Sequence, residues 1–323
     1  MRLRAKSNGR TDPVRALTAQ VSALTAQMEE QWRASSDELA RLRDDVASAR
    51  DSIWASKVVS IGDRLLVGCR HLNLVYYIDP TDRLIGPRFI VDGEYEPATT
   101  AFVLHNVGPD DTCIDVGANF GYYSCMFAHL AWRGRVLAFE ADPLVHRTLV
   151  DNVAINWSEG VVQPINAAVG SEVGELTLHR WINRPGNTGI IPPDHEIAPG
   201  FRLESERFEV AMIPLDSLIE HHDRVDLVKV DVEGAESLVV KGMTKLVNRF
   251  RPIVIIEWSP YQIRASGSSV DELASLLEEW GVSLHTINND GTLESQSFDR
   301  LPGLPFQNIV LAPDDRIRGK SNR

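Results

Sequence analysis

Cysteine is scarce: three in 323 residues, at positions 69, 113 and 125, with no spacing that suits a metal or a disulfide framework. They read as free thiols of a reducing, cytoplasmic compartment, with Cys113 inside a core strand. Long apolar runs are missing as well, and none approaches the roughly 20 residues of a membrane helix. The basic start MRLRAKSNGR has no apolar stretch behind it, so it does not read as a signal peptide. Positive charge is in deficit, 33 Lys and Arg against 45 Asp and Glu, for a net charge of -12. That argues against a nucleic-acid partner, because a phosphate backbone needs a basic face. Internal repeats and low-complexity segments are absent too. What remains, 43% hydrophobic and 24% charged, is the make-up of a soluble globular chain with room for one large α/β domain and an extension.

The order of elements follows from periodicity. Residues 1–13 read as disordered. Over 14–55, Leu17, Val21, Leu24, Met28, Trp32, Leu39, Leu42, Val46 and Ile53 recur mostly at helical and heptad gaps. This predicts an amphipathic helix with coiled-coil spacing, a possible route to a homo-oligomer, with a phase slip between Met28 and Trp32. A lead-in segment, 56–98, carries short strands, a turn at Asp79–Asp82, and a position over the edge of the domain that follows. The core domain, 99–313, alternates strands (112–116, 136–140, 161–165, 226–231, 252–257) with helices, which implies a doubly wound, mostly parallel sheet. The alternation breaks where 175–180 and 208–213 read as antiparallel strands around a Pro/Gly-rich insertion, 183–200. A basic tail, 314–323, ends the chain.

The chemistry concentrates in two stretches. The first, TCIDVGANFGYYS (112–124), is a strand feeding a glycine-bearing loop and a helix start, the way α/β folds bring backbone against a nucleotide-like ligand. Gly117, Ala118, Asn119 and Gly121 form that loop. Asn119 and Tyr122 stand where a dinucleotide fingerprint would place glycines, so the pyrophosphate pattern is missing. Asp115, just before the loop, would repel phosphates but favours a cationic ligand such as a sulfonium bearing an amino-acid ammonium. Glu140, 19 positions after Gly121, ends the second strand, where a carboxylate accepts both hydroxyls of a ribose. Asn166 and Ala167 end the third strand, placed for an adenine edge.

The second stretch is KVDVEGAE (229–236). Lys229, Asp231 and Glu233 crowd the mouth of a buried strand, a costly arrangement unless the charges are paired or used. Glu236 falls in the first turn of the next helix. Glu257 adds an acid on the same sheet edge. Such carboxylates would suit a divalent metal, but no histidine stands near them and no metal is expected.

In this order, IDVGANFGYYS (114–124), FEADP (139–143), LVDNVAIN (149–156), NAAVG (166–170), IPLDSLI (213–219) and DLVKVDVEGAE (226–236) resemble the FkbM-type class I methyltransferases. The resemblance spans about Glu94 to Leu311. It implies a Rossmann-like fold with a seven-stranded sheet, S-adenosylmethionine as cofactor, and O-methylation of sugars or other hydroxylated metabolites. Carried over, Asp115, Gly117 and Asn119 would contact the amino-acid end of the cofactor and Glu140 its ribose. Asp231, Glu233 and Gly234 would line the transfer site. Asp231, Glu233 and Glu257 are, in that order, the candidate bases. Two other readings stand beside this one: an NAD-linked oxidoreductase, which Asp115 opposes, and a coiled-coil assembly protein with an inactive domain.

Overall fold

Strands of Val, Ile and Leu that are buried on both faces need helices on either side, and the computed structural model has that arrangement. It describes residues 41, 58–62, 64–83, 85–181, 184–192 and 205–317. The expected disordered start (1–13), all but one residue of the expected coiled coil (14–55) and the end of the basic tail lie outside the described residues.

The described chain opens with an antiparallel meander, β1 (Val58–Ile61), β2 (Arg64–Gly68) and β3 (Val75–Ile78), then α1 (Ile85–Asp92) and α2 (Pro97–Asn106). The core proceeds through β4 (Thr112–Val116), α3 (Tyr122–Leu130), β5 (Arg135–Phe139), α4 (Pro143–Ile155) and β6 (Val162–Ile165). There follow β7 (Ala168–Val169), β8 (Gly174–Trp181), β9 (Arg184–Gly189) and β10 (Ser205–Ile213), which form a second sheet in the order β7-β10-β8-β9. A 3-10 helix, Leu215–His221, leads back into β11 (Leu227–Val230), α5 (Glu236–Phe250), β12 (Ile253–Trp258), α6 (Pro260–Ala265) and α7 (Val270–Glu278). The last strands are β13 (Ser283–Ile287), β14 (Leu293–Gln296) and β15 (Gln307–Ala312).

The main sheet runs β14-β13-β15-β12-β11-β4-β5-β6. Its five strands from β12 to β6 are parallel, and β15 and the β13-β14 hairpin pair antiparallel to their neighbours. The expected count of seven is thus corrected to eight. The added strand, β14, reads LESQ and lies at the edge, where no buried face imposes an apolar alternation. Alternation divides the core strands cleanly. Cys113, Leu227 and Ile255 face one apolar cluster, Ile114, Val228 and Ile256 the other. Each such fully buried side chain contributes about 1.5–3 kcal/mol relative to exposure.

Two further differences from the sequence reading have local causes. Helix α1 went unread because its first turn holds Gly86 and Pro87. Asp82 caps it, accepting from Ile85 N (3.3 Å) and Gly86 N (3.1 Å). The tail, read as starting at 314, is tied down at its beginning: Arg316 donates to Asp226 Oδ1 (2.9 Å) and to the Phe250 carbonyl (3.0 Å).

Helix α4 holds the meander to the core. Its Asp142 N-cap accepts from Leu144 N (2.8 Å), and Pro143 opens the first turn, where a missing N–H costs nothing. Asn152 and Asn156, one turn apart, face β3. Asn152 Oδ1 accepts from Tyr77 N (2.7 Å) and its Nδ2 donates to Tyr77 O (3.1 Å); Asn156 repeats the pair with Val75 (3.1 and 2.7 Å). Asn152 Nδ2 also reaches Phe120 O (2.7 Å), in the glycine loop. Two side-chain amides thus do for β3 what a neighbouring strand would do.

Candidate functional site

The strand ends of β4, β5 and β11 face the crevice that open α/β sheets use for ligands. There the β4–α3 loop turns sharply. Gly117 takes φ 79°, and Gly117 N and Ala118 N both donate to Phe139 O (2.9 Å each). A Cβ at Gly117 would stand 1.7 Å from the Asp231 carbonyl oxygen, so only glycine lets β4 and β11 end this close together. Asn119, also left-handed at φ 52°, accepts from Phe120 N (2.8 Å) and exposes its own N–H to Glu140.

Glu140 is the fixed point of this crevice. Its Oε2 accepts from Asn119 N (2.8 Å) and its Oε1 from Asp142 N (2.8 Å). Burial pushes its carboxyl from 4.5 up to about 7, against the pull of those two N–H groups. A cavity of about 690 Å³, counted to its open mouth, is lined by Gly117, Asn119, Glu140, Ala167, Asp231 and Glu233 among others. A ribose-bearing, cationic ligand fits this donor set: a locked carboxylate, a bare glycine backbone and two further acids in the lining.

Other expected ligand contacts fall elsewhere. Asp115 is 1% exposed and does not line the cavity. It lies beside Lys229 in the β4-β11 register and accepts from Ser124 Oγ (2.6 Å). Burial raises it to about 6, opposed by Lys229 and Ser124. Its negative charge therefore lies behind the loop. Asn166 is engaged within the fold through its amide nitrogen. Its Nδ2 donates to the carbonyls of Glu140 (2.9 Å) and Ala141 (3.0 Å), and the side chain does not line the cavity. Ala118 is buried and, like Gly121, shapes the loop without lining the cavity.

A second, larger cleft of about 1730 Å³ opens alongside. Most of its walls come from segments outside the main parallel strands: Ile85, Arg88 and Tyr95 before β4, Gly189 and Ile191 from the insertion, and Tyr261 on α6, with Glu257 at the end of β12. Tyr95 and Glu233 line both cavities and mark where they meet. The acids gather at that junction. Lys229, 2% exposed, donates to Asp231 Oδ2 (2.7 Å) and sits 4.7 Å from the Tyr123 ring centroid. Burial alone would lower its ammonium pKa, but Asp231, Glu96 and Asp115 outweigh it and hold it charged. Glu233, at φ 50°, accepts from Gln262 Nε2. Because β11 ends at Val230, strand alternation does not extend to Glu233, which turns toward the cleft instead. Glu257, 5% exposed, is pushed up to about 11 by burial first, then by Asp231, Glu233 and Glu236. Glu236 is fully buried and takes Gly234 N (3.2 Å), so it closes the turn rather than lining either cavity.

Sequence reasoning missed Glu96. It lies just before α2 at φ 44°, where Tyr123 Oη (2.9 Å) and Asn308 Nδ2 (2.8 Å) donate to its carboxylate. The one available signal was an acid next to Pro97, which marks a helix start and nothing about chemistry.

The locked carboxylate gives a pH prediction. If Glu140 takes a ribose diol, only its ionised form accepts from both hydroxyls, so affinity for a ribose-bearing ligand such as S-adenosylhomocysteine should climb as pH rises from 6 to 8 and level off above. Stability moves the other way: the folded value exceeds the ordinary 4.5, so this residue's contribution is full below 4.5 and is lost as pH rises through about 7. Calorimetric titration across that range checks the first trend, and Glu140→Gln should flatten it and weaken binding about tenfold. An affinity that is flat with pH in the unmutated protein would remove Glu140 from this role.

Residues 115–284, just over half of the chain, match the family described as methyltransferase FkbM domain. The chain is 29% identical over 208 residues to methyltransferase sdnD of Sordaria araneosa, covering 56% of this chain and 77% of that one. It is 27% identical over 155 residues to the hexuronic acid methyltransferase AglP of Haloferax volcanii, covering 47% and 58%. Among solved structures it is similar to the methyltransferase FkbM from Methylobacillus flagellatus, with a TM-score of 0.43 at 16% identity, covering 68% of this chain and 48% of that one.

Proposed function

The chain belongs to the FkbM methyltransferase family, and from that premise we propose that it methylates an oxygen of a sugar, glycan or other small hydroxylated metabolite. It is an S-adenosylmethionine-dependent methyltransferase; the oxygen acceptor is the proposed part. One observation carries the reading: a cavity lined by a locked carboxylate meets a larger cleft at Tyr95 and Glu233. Donor and acceptor then approach through a single junction. The relative that acts on a hexuronic acid supports a carbohydrate acceptor. Tyr261 and Phe306, 55% and 64% exposed on the cleft wall, offer faces for a sugar ring.

When bound, S-adenosylmethionine supplies a methyl group whose bond to sulfur breaks with its electron pair returning to the positive sulfur. The protein's part is to hold an acceptor oxygen in line and to take up its proton. Asp231, first of the three candidate bases, is engaged by Lys229. Glu233 reaches both cavities and is held by Gln262, so it is the base we assign.

Calorimetry with S-adenosylhomocysteine and NAD tests the donor: binding of the first alone is expected, and binding of NAD alone would sink the reading. Radiolabelled methyl transfer into an extract, followed by mass spectrometry of the product, identifies the acceptor. Glu233→Gln should lower turnover about 100-fold with donor affinity unchanged. Full turnover would pass the base role to another residue.

A further inference from the structure

Three acids at the junction converge although they come from distant parts of the chain. One carboxylate oxygen from each of Glu96, Asp231 and Glu257 lies within 4.8 Å of the other two. Each group is set in place by its surroundings. Lys229 holds Asp231, and Tyr123 and Asn308 hold Glu96. Asn308 is also the register partner of Glu257 across β12 and β15. Glu257 itself is 5% exposed, and its Oε2 has no hydrogen-bond partner among the described residues. The Oδ1 of Asn308 is likewise buried without a partner there. Three carboxylates against one lysine leave an excess of negative charge where water is scarce, and such charge is normally matched. A proton on Glu257 would cancel one charge and leave two carboxylates facing a single lysine.

We propose that Glu96, Asp231 and Glu257 bind a hard divalent cation, Mg²⁺, Mn²⁺ or Ca²⁺, which fixes the acceptor oxygen at the junction of the two cavities. Metal–oxygen distances of about 2.0–2.6 Å put neighbouring ligand oxygens roughly 3 Å apart and opposite ones roughly 4–5 Å apart, and oxygens within 4.8 Å of one another are compatible with one ion. The donor set is all oxygen, which favours this class over zinc or copper. Asp231 lines the donor cavity while Glu96 and Glu257 line the cleft, so the ion would sit where the acceptor must arrive. The sequence reading set a metal aside because no histidine stands near these acids, and Glu96 was not among the acids it weighed.

This inference rests on the two-cavity methyltransferase reading, and the test separates the two. The full chain, stripped with a chelator, is titrated with MnCl₂ by electron paramagnetic resonance in the presence of S-adenosylhomocysteine, whose own binding is measured by calorimetry. One Mn²⁺ per chain is expected, competed by Mg²⁺. Glu257→Gln and, separately, Glu96→Gln should each weaken Mn²⁺ at least about tenfold and leave S-adenosylhomocysteine affinity within twofold. Two variants on different elements guard against one that fails to fold. If S-adenosylhomocysteine binds and Mn²⁺ does not, or if Mn²⁺ binds equally to both variants, the cation site is overturned and the methyltransferase reading stands. If S-adenosylhomocysteine itself does not bind, the reading falls and the cation's role in holding the acceptor falls with it.

Discussion

Gly117→Ala should abolish S-adenosylhomocysteine binding and methyl transfer together. The added carbon would lie 1.7 Å from the Asp231 carbonyl oxygen, and it would have to adopt φ 79°. The left-handed conformation costs about 1–2 kcal/mol for a residue with a Cβ. Relief of the clash adds about 1–3 kcal/mol, because the obstacle is backbone and not a flexible side chain. The chain can relax only by parting β4 from the end of β11. That shift moves the glycine loop and the Asp231 carboxylate at once. A loss of affinity beyond about 100-fold follows, with a lowered thermal midpoint. Calorimetry and thermal unfolding on the same sample measure both. An alanine variant that binds within about threefold of the unmutated protein would show that the close approach is not needed.

Asn152→Ala should be the most damaging change remote from the two cavities. The side chain is fully buried and makes three bonds, to Tyr77 N, Tyr77 O and Phe120 O. Each buried backbone group deprived of this partner costs about 1–3 kcal/mol, so a total near 4 kcal/mol is expected. For a domain of this size that is a drop in thermal midpoint on the order of 10 °C. Asn156→Ala, half-buried one turn away, should cost clearly less. Because Asn152 also holds the Phe120 carbonyl, its loss should weaken donor binding in protein that remains folded; the Asn156 change should not. Thermal unfolding of both variants, with calorimetry well below the midpoint, reads the difference. Equal effects at the two positions would refute the loop connection.

The sequence was most informative where periodicity and glycine chemistry act locally. Strand β4 and helix α4 fall at the residues read for them, and Glu140, directly after β5, lines the cavity. What stayed hidden depends on pairing across the fold. The Asn166 amide nitrogen donates to two carbonyls that come into reach only when β5 and β6 lie side by side. Asn308 is an unremarkable residue of a last strand until antiparallel pairing sets it opposite Glu257. Glu96 belongs to the cluster only because its left-handed turn before α2 directs it toward Tyr123 and Asn308. Strand β9 went unread because its sequence, RPGNTG, carries turn residues where a strand would show β-branched ones.

The paired asparagines on α4 have one more consequence. A three-stranded sheet has two edges, and an edge strand with open N–H and C=O groups can recruit any extended chain that meets it. At β3 the backbone groups of Val75 and Tyr77 are already occupied by amides that belong to a helix and cannot propagate a sheet. This edge is therefore closed to further strand addition, including by a second copy of the same protein, without a neighbouring strand.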